Sequence, residues 1–194
     1  MDINSLIAKR IRDLRKQRGY ALGVLAELSG VSRSMISLIE REETSPTAAV
    51  LNKLADALGV TLAVLFSEKT DSAPKRPLAR LSEQQVWKDP ATGYIRRHVS
   101  PSGFASPIEL AEVTFPAGER VAFDNLMRKV AAHQQIWVLE GEMEITVGDQ
   151  TWSLQGGDCL AMTLDEQIVF SNPTRKPARY LVAITTIPSS SRRP

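Results

Sequence analysis

LAELSGVSRSMISLIEREETSPTAAVLNKLADALGV, the stretch from Leu25 to Val60, decides how the first third of the chain folds. Its apolar residues recur at helical spacing, and each run stops at a turn signal. Leu22, Leu25, Ala26 and Leu28 mark one helix that ends at Ser29-Gly30. Val31 follows, and then Ser32, whose hydroxyl suits the N-cap of a third helix with Met35, Ile36 and Ile39 inward and an end near Glu42. Ser45-Pro46-Thr47 opens a fourth, with Val50, Leu51, Leu54, Ala55 and Leu58 on its buried face before Gly59. Working outward, Ile3, Leu6, Ile7, Ile11 and Leu14 stripe a first helix that Gly19 closes, and Thr61 caps a short last helix through Phe66. Residues 1–66 therefore read as a five-helix domain.

The second and third helices are parted only by Gly30-Val31, so they must cross steeply, with small Ala26 where they touch. That is a helix-turn-helix at the level of sequence. Opposite its buried residues the third helix presents Arg33, Ser34, Ser37 and Arg41. Taken alone this is a polar helix face like many others. Inside five such helices it suits a major groove, because Arg can donate two hydrogen bonds to guanine and Ser permits close approach. Ser32 and Thr44, at the two ends of the segment, complete the candidate DNA-contacting set. Six of the ten residues from Lys9 to Arg18 are basic, opposed only by Asp13, which adds a positive face to the same domain.

The stretch quoted above resembles the DNA-binding domain of phage-repressor-like (XRE-type) regulators over roughly residues 6–66. The resemblance rests on Ala26, Gly30, Ile36 and Ile39, on Glu40 at the end of the third helix, and on Ser45-Pro46. It implies that residues 22–41 form the DNA-binding motif, that Arg10 pairs with Glu40, and that a homodimer reads a double-stranded operator with two-fold related half-sites. Two positions depart from the pattern. Gly23 stands where the family has a better helix former, at a cost of about 1 kcal/mol, and Glu42 replaces the glycine of a more common Glu-Arg-Gly ending.

Residues 67–82, SEKTDSAPKRPLARLS, mix charges with two prolines and read as a linker. From residue 83 to 188 the pattern changes to alternation with Gly, Pro and Asp turns. Strand-like runs are expected at Tyr94–Val99, Ile108–Phe115, Gln134–Glu140, Glu142–Val147, Thr151–Leu154, Cys159–Met162, Gln167–Ser171 and Arg179–Thr186. Residues 189–194 read as a tail. The order FPAG, IWVLEGEMEITVGDQTWSLQGGDCLAM, FSNPTRKPARYLVAIT resembles the cupin superfamily over roughly residues 92–187. The fold class expected is thus two-domain α plus all-β, a helix-turn-helix domain followed by a cupin β-barrel (jelly roll).

Metal-dependent cupins hold their ion with two His one residue apart, a Glu seven residues before the glycine of VLEG, and a His four residues before a later Asn. Here those places fall near Met127–Val130, at Gln134 and at Ile168, and the chain has only two histidines, His98 and His133. No metal and no other cofactor is therefore expected. A jelly roll without metal can still enclose a small organic effector. Arg128, His133 and Gln134 are the candidate ligand contacts, Arg128 being suited to a carboxylate. Trp137 and Trp152 read as core or interface residues.

The 194 residues carry a net charge of +2, and the basic excess lies outside residues 83–188, which hold 9 Lys or Arg against 13 Asp or Glu. No apolar run approaches the roughly 18 residues of a spanning helix, so no membrane partner is expected and the chain reads as cytoplasmic. The single cysteine, Cys159, is expected as a buried core thiol. Two other readings remain open: a cupin-fold enzyme with a DNA-binding appendage, and a regulator whose β domain only dimerises.

Overall fold

A computed structural model describes residues 2–66, 76–102, 104, 106–125 and 131–186. The helical part consists of α1 (Ile3–Gln17), α2 (Leu22–Ser29), α3 (Arg33–Glu40), α4 (Ala48–Leu58) and α5 (Leu62–Leu65). Ile7, Ile11, Leu25, Ile36, Leu51, Leu54 and Leu65 are fully enclosed between them, each contributing about 1.5–3 kcal/mol of burial. The axes of α2 and α3 turn through 115° at Gly30, which takes a left-handed φ of 66°. Ser32 Oγ accepts the Met35 amide at 3.2 Å, so the N-cap expected there forms, and Thr47 Oγ1 accepts the Val50 amide at 3.4 Å at the start of α4.

Three local expectations change. Met35 is 37% exposed, because the inward face of α3 is centred on Ile36, Ile39 and Glu40. Helix α3 stops at Glu40, not Glu42. Glu42 there adopts φ 65° and closes the helix through Glu42 N to Ile39 O and Glu43 N to Leu38 O, at 3.0 and 2.9 Å. Thr61 makes no side-chain cap; its hydroxyl donates instead to Glu109 Oε2 at 2.7 Å.

After a 3₁₀ turn at Leu81–Glu83 come β1 (Val86–Lys88), β2 (Ile95–His98), β3 (Ile108–Phe115), β4 (Arg120–Phe123), β5 (Ala132–Glu140), β6 (Glu142–Val147), β7 (Gln150–Gln155), β8 (Cys159–Thr163), β9 (Ile168–Ser171) and β10 (Ala178–Thr186). They pair antiparallel into two sheets, ordered β1-β2-β3-β10-β5-β8 and β4-β9-β6-β7. This is the jelly-roll arrangement of two facing sheets, not one closed ring of strands. Strands β1 and β4 were not among the expected runs. Cys159 is exposed on the outer face of β8, against the expectation of a core thiol. Its neighbour across the ladder is Trp137, 48% exposed on β5.

The two domains share one apolar core. Ring contacts run from Phe66, just after α5, to Trp87 and Tyr94 at 5.7 Å each, then Phe115 at 5.9 Å and Tyr180 at 6.4 Å. The series ends on Phe170 and Phe123. Polar contacts accompany it. Asp89, 2% exposed, accepts the Ala48 amide at the start of α4 at 2.9 Å, and Asn52 Nδ2 on α4 donates to Asn125 Oδ1 at 3.3 Å. The boundary expected at residue 66 thus separates helices from strands without separating their cores. Residues 67–75 of the expected linker and the whole 189–194 tail lie outside the described residues.

Candidate functional site

Helix α3 stands with Ile36, Ile39 and Glu40 against the core, so its remaining face is free. Ser32, Arg33, Ser34 and Arg41 are exposed, while Ser37 and Thr44 are half-buried. Ser32 Oγ is engaged by the helix cap and lies 3.1 Å from Ser34 Oγ. Arg41 pairs with Glu43 at 3.1 Å, and Glu42 accepts from Ser5 Oγ at 2.6 Å. Two acids therefore flank the C-terminal end of the face, and the cleanest positive charge on it is Arg33, which forms no ion pair among the described residues.

The partner of Glu40 is Arg15, not Arg10. Arg15 Nε and Nη2 donate to the two carboxylate oxygens of Glu40 at 2.6 and 2.8 Å, and Nη1 donates to the Tyr20 carbonyl at 2.8 Å. Both side chains are largely buried, at 13% and 7% exposure. The bond to Glu40 raises the Arg15 guanidinium above even its usual range. Arg10 turns its Nε to the Val64 carbonyl at 3.1 Å, holding α1 to α5. Two of the six basic residues of α1 and its end thus serve the fold, and Lys9, Lys16 and Arg18 stay exposed beside them.

Between the sheets of the β domain lies a cavity of about 60 Å³. Gln134, Ile168 and Phe170 face it, together with Tyr94, Arg96, Tyr180 and Asn125. Asn52 of α4 and Leu62 of α5 complete its wall. His133 does not line this cavity: it is exposed on β5 at the opposite parity to half-buried Gln134, and the two residues border a separate surface depression with Trp152 and Met162. Arg128, with Met127–Val130, lies outside the described residues.

The donor set does not suit a cupin metal. Gln134 offers a neutral amide and Ile168 no donor, and no group of three or more His, Cys, Asp or Glu side chains converges among the described residues. His98, the other histidine, is buried on β2, and burial followed by the nearby Arg96 charge lowers it to about 4, so it is neutral at ordinary pH. Sequence reasoning missed Arg96, Asn52, Asp89 and Arg15. The first was within reach, since Tyr94, Arg96 and His98 share one parity; the other three depend on packing between elements.

The helix-turn-helix family HTH_3 matches residues 11–65. The chain is 28% identical to the HTH-type transcriptional regulator PuuR of Escherichia coli (strain K12) over 181 residues, covering 91% of this chain and 93% of that one. It is 41% identical to the HTH-type transcriptional regulator SutR of the same organism over 68 residues, 35% of this chain and 38% of that one. In structure it is similar to an HTH_3 family transcriptional regulator from Vibrio cholerae, with a TM-score of 0.75, 26% identity, and coverage of 96% and 97% of the two chains. With a steeply crossed α2–α3 pair, a free α3 face and two facing antiparallel sheets behind it, the chain is a DNA-binding transcriptional regulator with an XRE-type helix-turn-helix domain and a C-terminal jelly-roll domain.

Proposed function

We propose that the chain binds its operator as a homodimer through Ser32, Arg33, Ser34, Ser37, Arg41 and Thr44, and that a small organic molecule in the β-domain cavity changes that binding. Its role is recognition, not catalysis. The observation that carries the sensing step is the shared wall: Asn52 and Leu62 belong to the DNA-binding domain yet line the cavity. A ligand that prefers one seating of α4 and α5 against the sheets shifts the arrangement presented to DNA by its differential affinity for the two seatings. The dimer is supported by the outer face of the six-stranded sheet, where half-exposed Trp137 adjoins Leu181 and Cys159.

The test begins with DNA selected by the full-length chain from a random pool. Arg33→Ala should then lose about 1–3 kcal/mol on the selected DNA and far less on random DNA at one fixed salt concentration. An equal loss on both would make Arg33 a backbone contact. A panel of metabolites screened for thermal stabilisation, then for a change in affinity for the selected DNA, tests the sensing step.

A further inference from the structure

The β domain encloses a positive charge that the rest of the chain does not answer. Arg96 lies on β2 at inward parity, is 9% exposed, and lines the cavity. Its Nε is buried without a hydrogen-bond partner, and it forms no ion pair among the described residues. The contrast with the next residue is direct: Arg97, at outward parity, pairs with Glu112. Asp89, close enough to act electrostatically on Tyr94, already has both oxygens engaged, by the Ala48 amide and by the amide and hydroxyl of Thr92.

No acid lines the cavity among the described residues, and its other polar groups, Asn52, Asn125, Gln134, Tyr94 and Tyr180, are neutral. The two phenols stay protonated, because burial pushes Tyr94 up to about 12 and Tyr180 well above its usual range. They therefore offer O–H donors. A guanidinium taken out of water is costly unless an anion meets it, and its planar fork matches a carboxylate.

We infer that the cavity is a binding site for a small organic carboxylate, with Arg96 as its counter-charge and Gln134, Tyr94 and Tyr180 as surrounding donors. The consequence for DNA binding rests on the sensing role proposed above; the binding itself does not. At about 60 Å³ the space favours an acid of few heavy atoms. Asn52 and Leu62 bring that acid against the helical domain.

The experiment uses the full-length chain, with acetate, pyruvate and succinate as probes at constant ionic strength, acetamide and butylamine as neutral and cationic counterparts, and inorganic phosphate as a non-carboxylate oxyanion. At least one carboxylate should raise the melting temperature and bind at least about tenfold more tightly than the amide and amine probes. Arg96→Gln should abolish that preference and Arg96→Lys retain part of it. Should Arg96→Gln not fold, the wild-type Arg96 Nε–H resonance decides: a carboxylate-dependent shift is expected, and none would overturn the site. Amide or amine binding as tight as the acid, an acid bound equally by Arg96→Gln, no carboxylate binding at all, or binding of phosphate alone would each overturn the assignment. DNA affinity is read separately. An acid that binds through Arg96 but leaves affinity for the selected DNA unchanged supports the site and removes the sensing role; a non-acid that alters DNA affinity while no acid binds does the reverse.

Discussion

Arg15 and Arg96 are both arginines held away from water, one in each domain, and their surroundings differ in kind. Arg15 spends its guanidinium on Glu40 and the Tyr20 carbonyl and so fastens α1 to the C-terminal end of α3. Arg96 has a buried Nε with no partner and faces a cavity. An arginine whose donors are filled from within its own domain is part of the framework. One kept at the energetic cost of an unanswered charge points outward from the fold, to something the fold holds.

The largest effect expected from this contrast is on stability. Removing one member of a buried pair strands the other, so Glu40→Gln should lower unfolding free energy by about 3 kcal/mol. Arg96→Met removes a charge that has no internal partner, and it should leave the stability of the ligand-free protein equal or higher. Thermal or urea unfolding of the two variants beside the wild type checks both. A destabilised Arg96→Met with an undisturbed Glu40→Gln would reverse the comparison and make Arg96 the structural residue.

His98 sharpens the contrast through pH. It shares the inward face of β2 with Arg96, and its folded pKa of about 4 lies below the ordinary 6.5, chiefly from burial and then from the Arg96 charge. Below pH 6.5 the unfolded chain takes up a proton that the folded chain refuses. This contribution to stability is therefore complete above pH 6.5, falls as pH drops toward 4, and totals about 3 kcal/mol. His98→Gln should flatten the stability profile within that window by about this amount, measured as the difference between the two chains. Arg96→Met should move the His98 midpoint upward, seen by NMR titration of its ring. An unmoved midpoint would mean that the Arg96 charge is already neutralised where it sits.

The difference between the two domains also explains what could be read from residues alone. Helices and their turns are local events, so α2, the Ser32 cap and the turn at Gly30 were legible, and β3 and β6 were bounded correctly by their alternation. What depends on one element meeting another was not. The Arg15–Glu40 pair spans 25 residues, and the Asp89 carboxylate that meets the start of α4 comes from 41 residues away. His133 and Gln134 part for a different reason: period-two geometry puts neighbours on opposite faces, so the two share the depression beside Trp152 but only Gln134 reaches the cavity. Within the cavity Gln134 and Ile168 were legible as the counterparts of metal-ligand positions, and the shared parity of Tyr94, Arg96 and His98 would have brought Arg96 to the same face.

The smallest expected effect lies at the end of α3, where the helical domain carries a cost of its own. Glu42 is the one non-glycine residue with positive φ among the described residues, at 65°, in a position that closes the helix through the Ile39 and Leu38 carbonyls. An L side chain in this region is disfavoured by about 1 kcal/mol or slightly more, whereas glycine adopts it freely. Against this, Glu42 gains an exposed hydrogen bond from Ser5 at 2.6 Å, and exposed polar contacts contribute well under 1 kcal/mol. The strain therefore outweighs the bond, and Glu42→Gly should raise unfolding free energy by at most about 0.5 kcal/mol after the added entropy of an unfolded glycine, about 0.4–1 kcal/mol, is subtracted. The same change removes a negative charge beside Arg41, so affinity for random DNA should rise and its dependence on salt concentration steepen, with the preferred sequence unchanged. Chemical unfolding and binding titrations across salt concentrations would show both. A less stable Glu42→Gly would mean that the contact with α1, and not the backbone of the turn, governs how α3 ends.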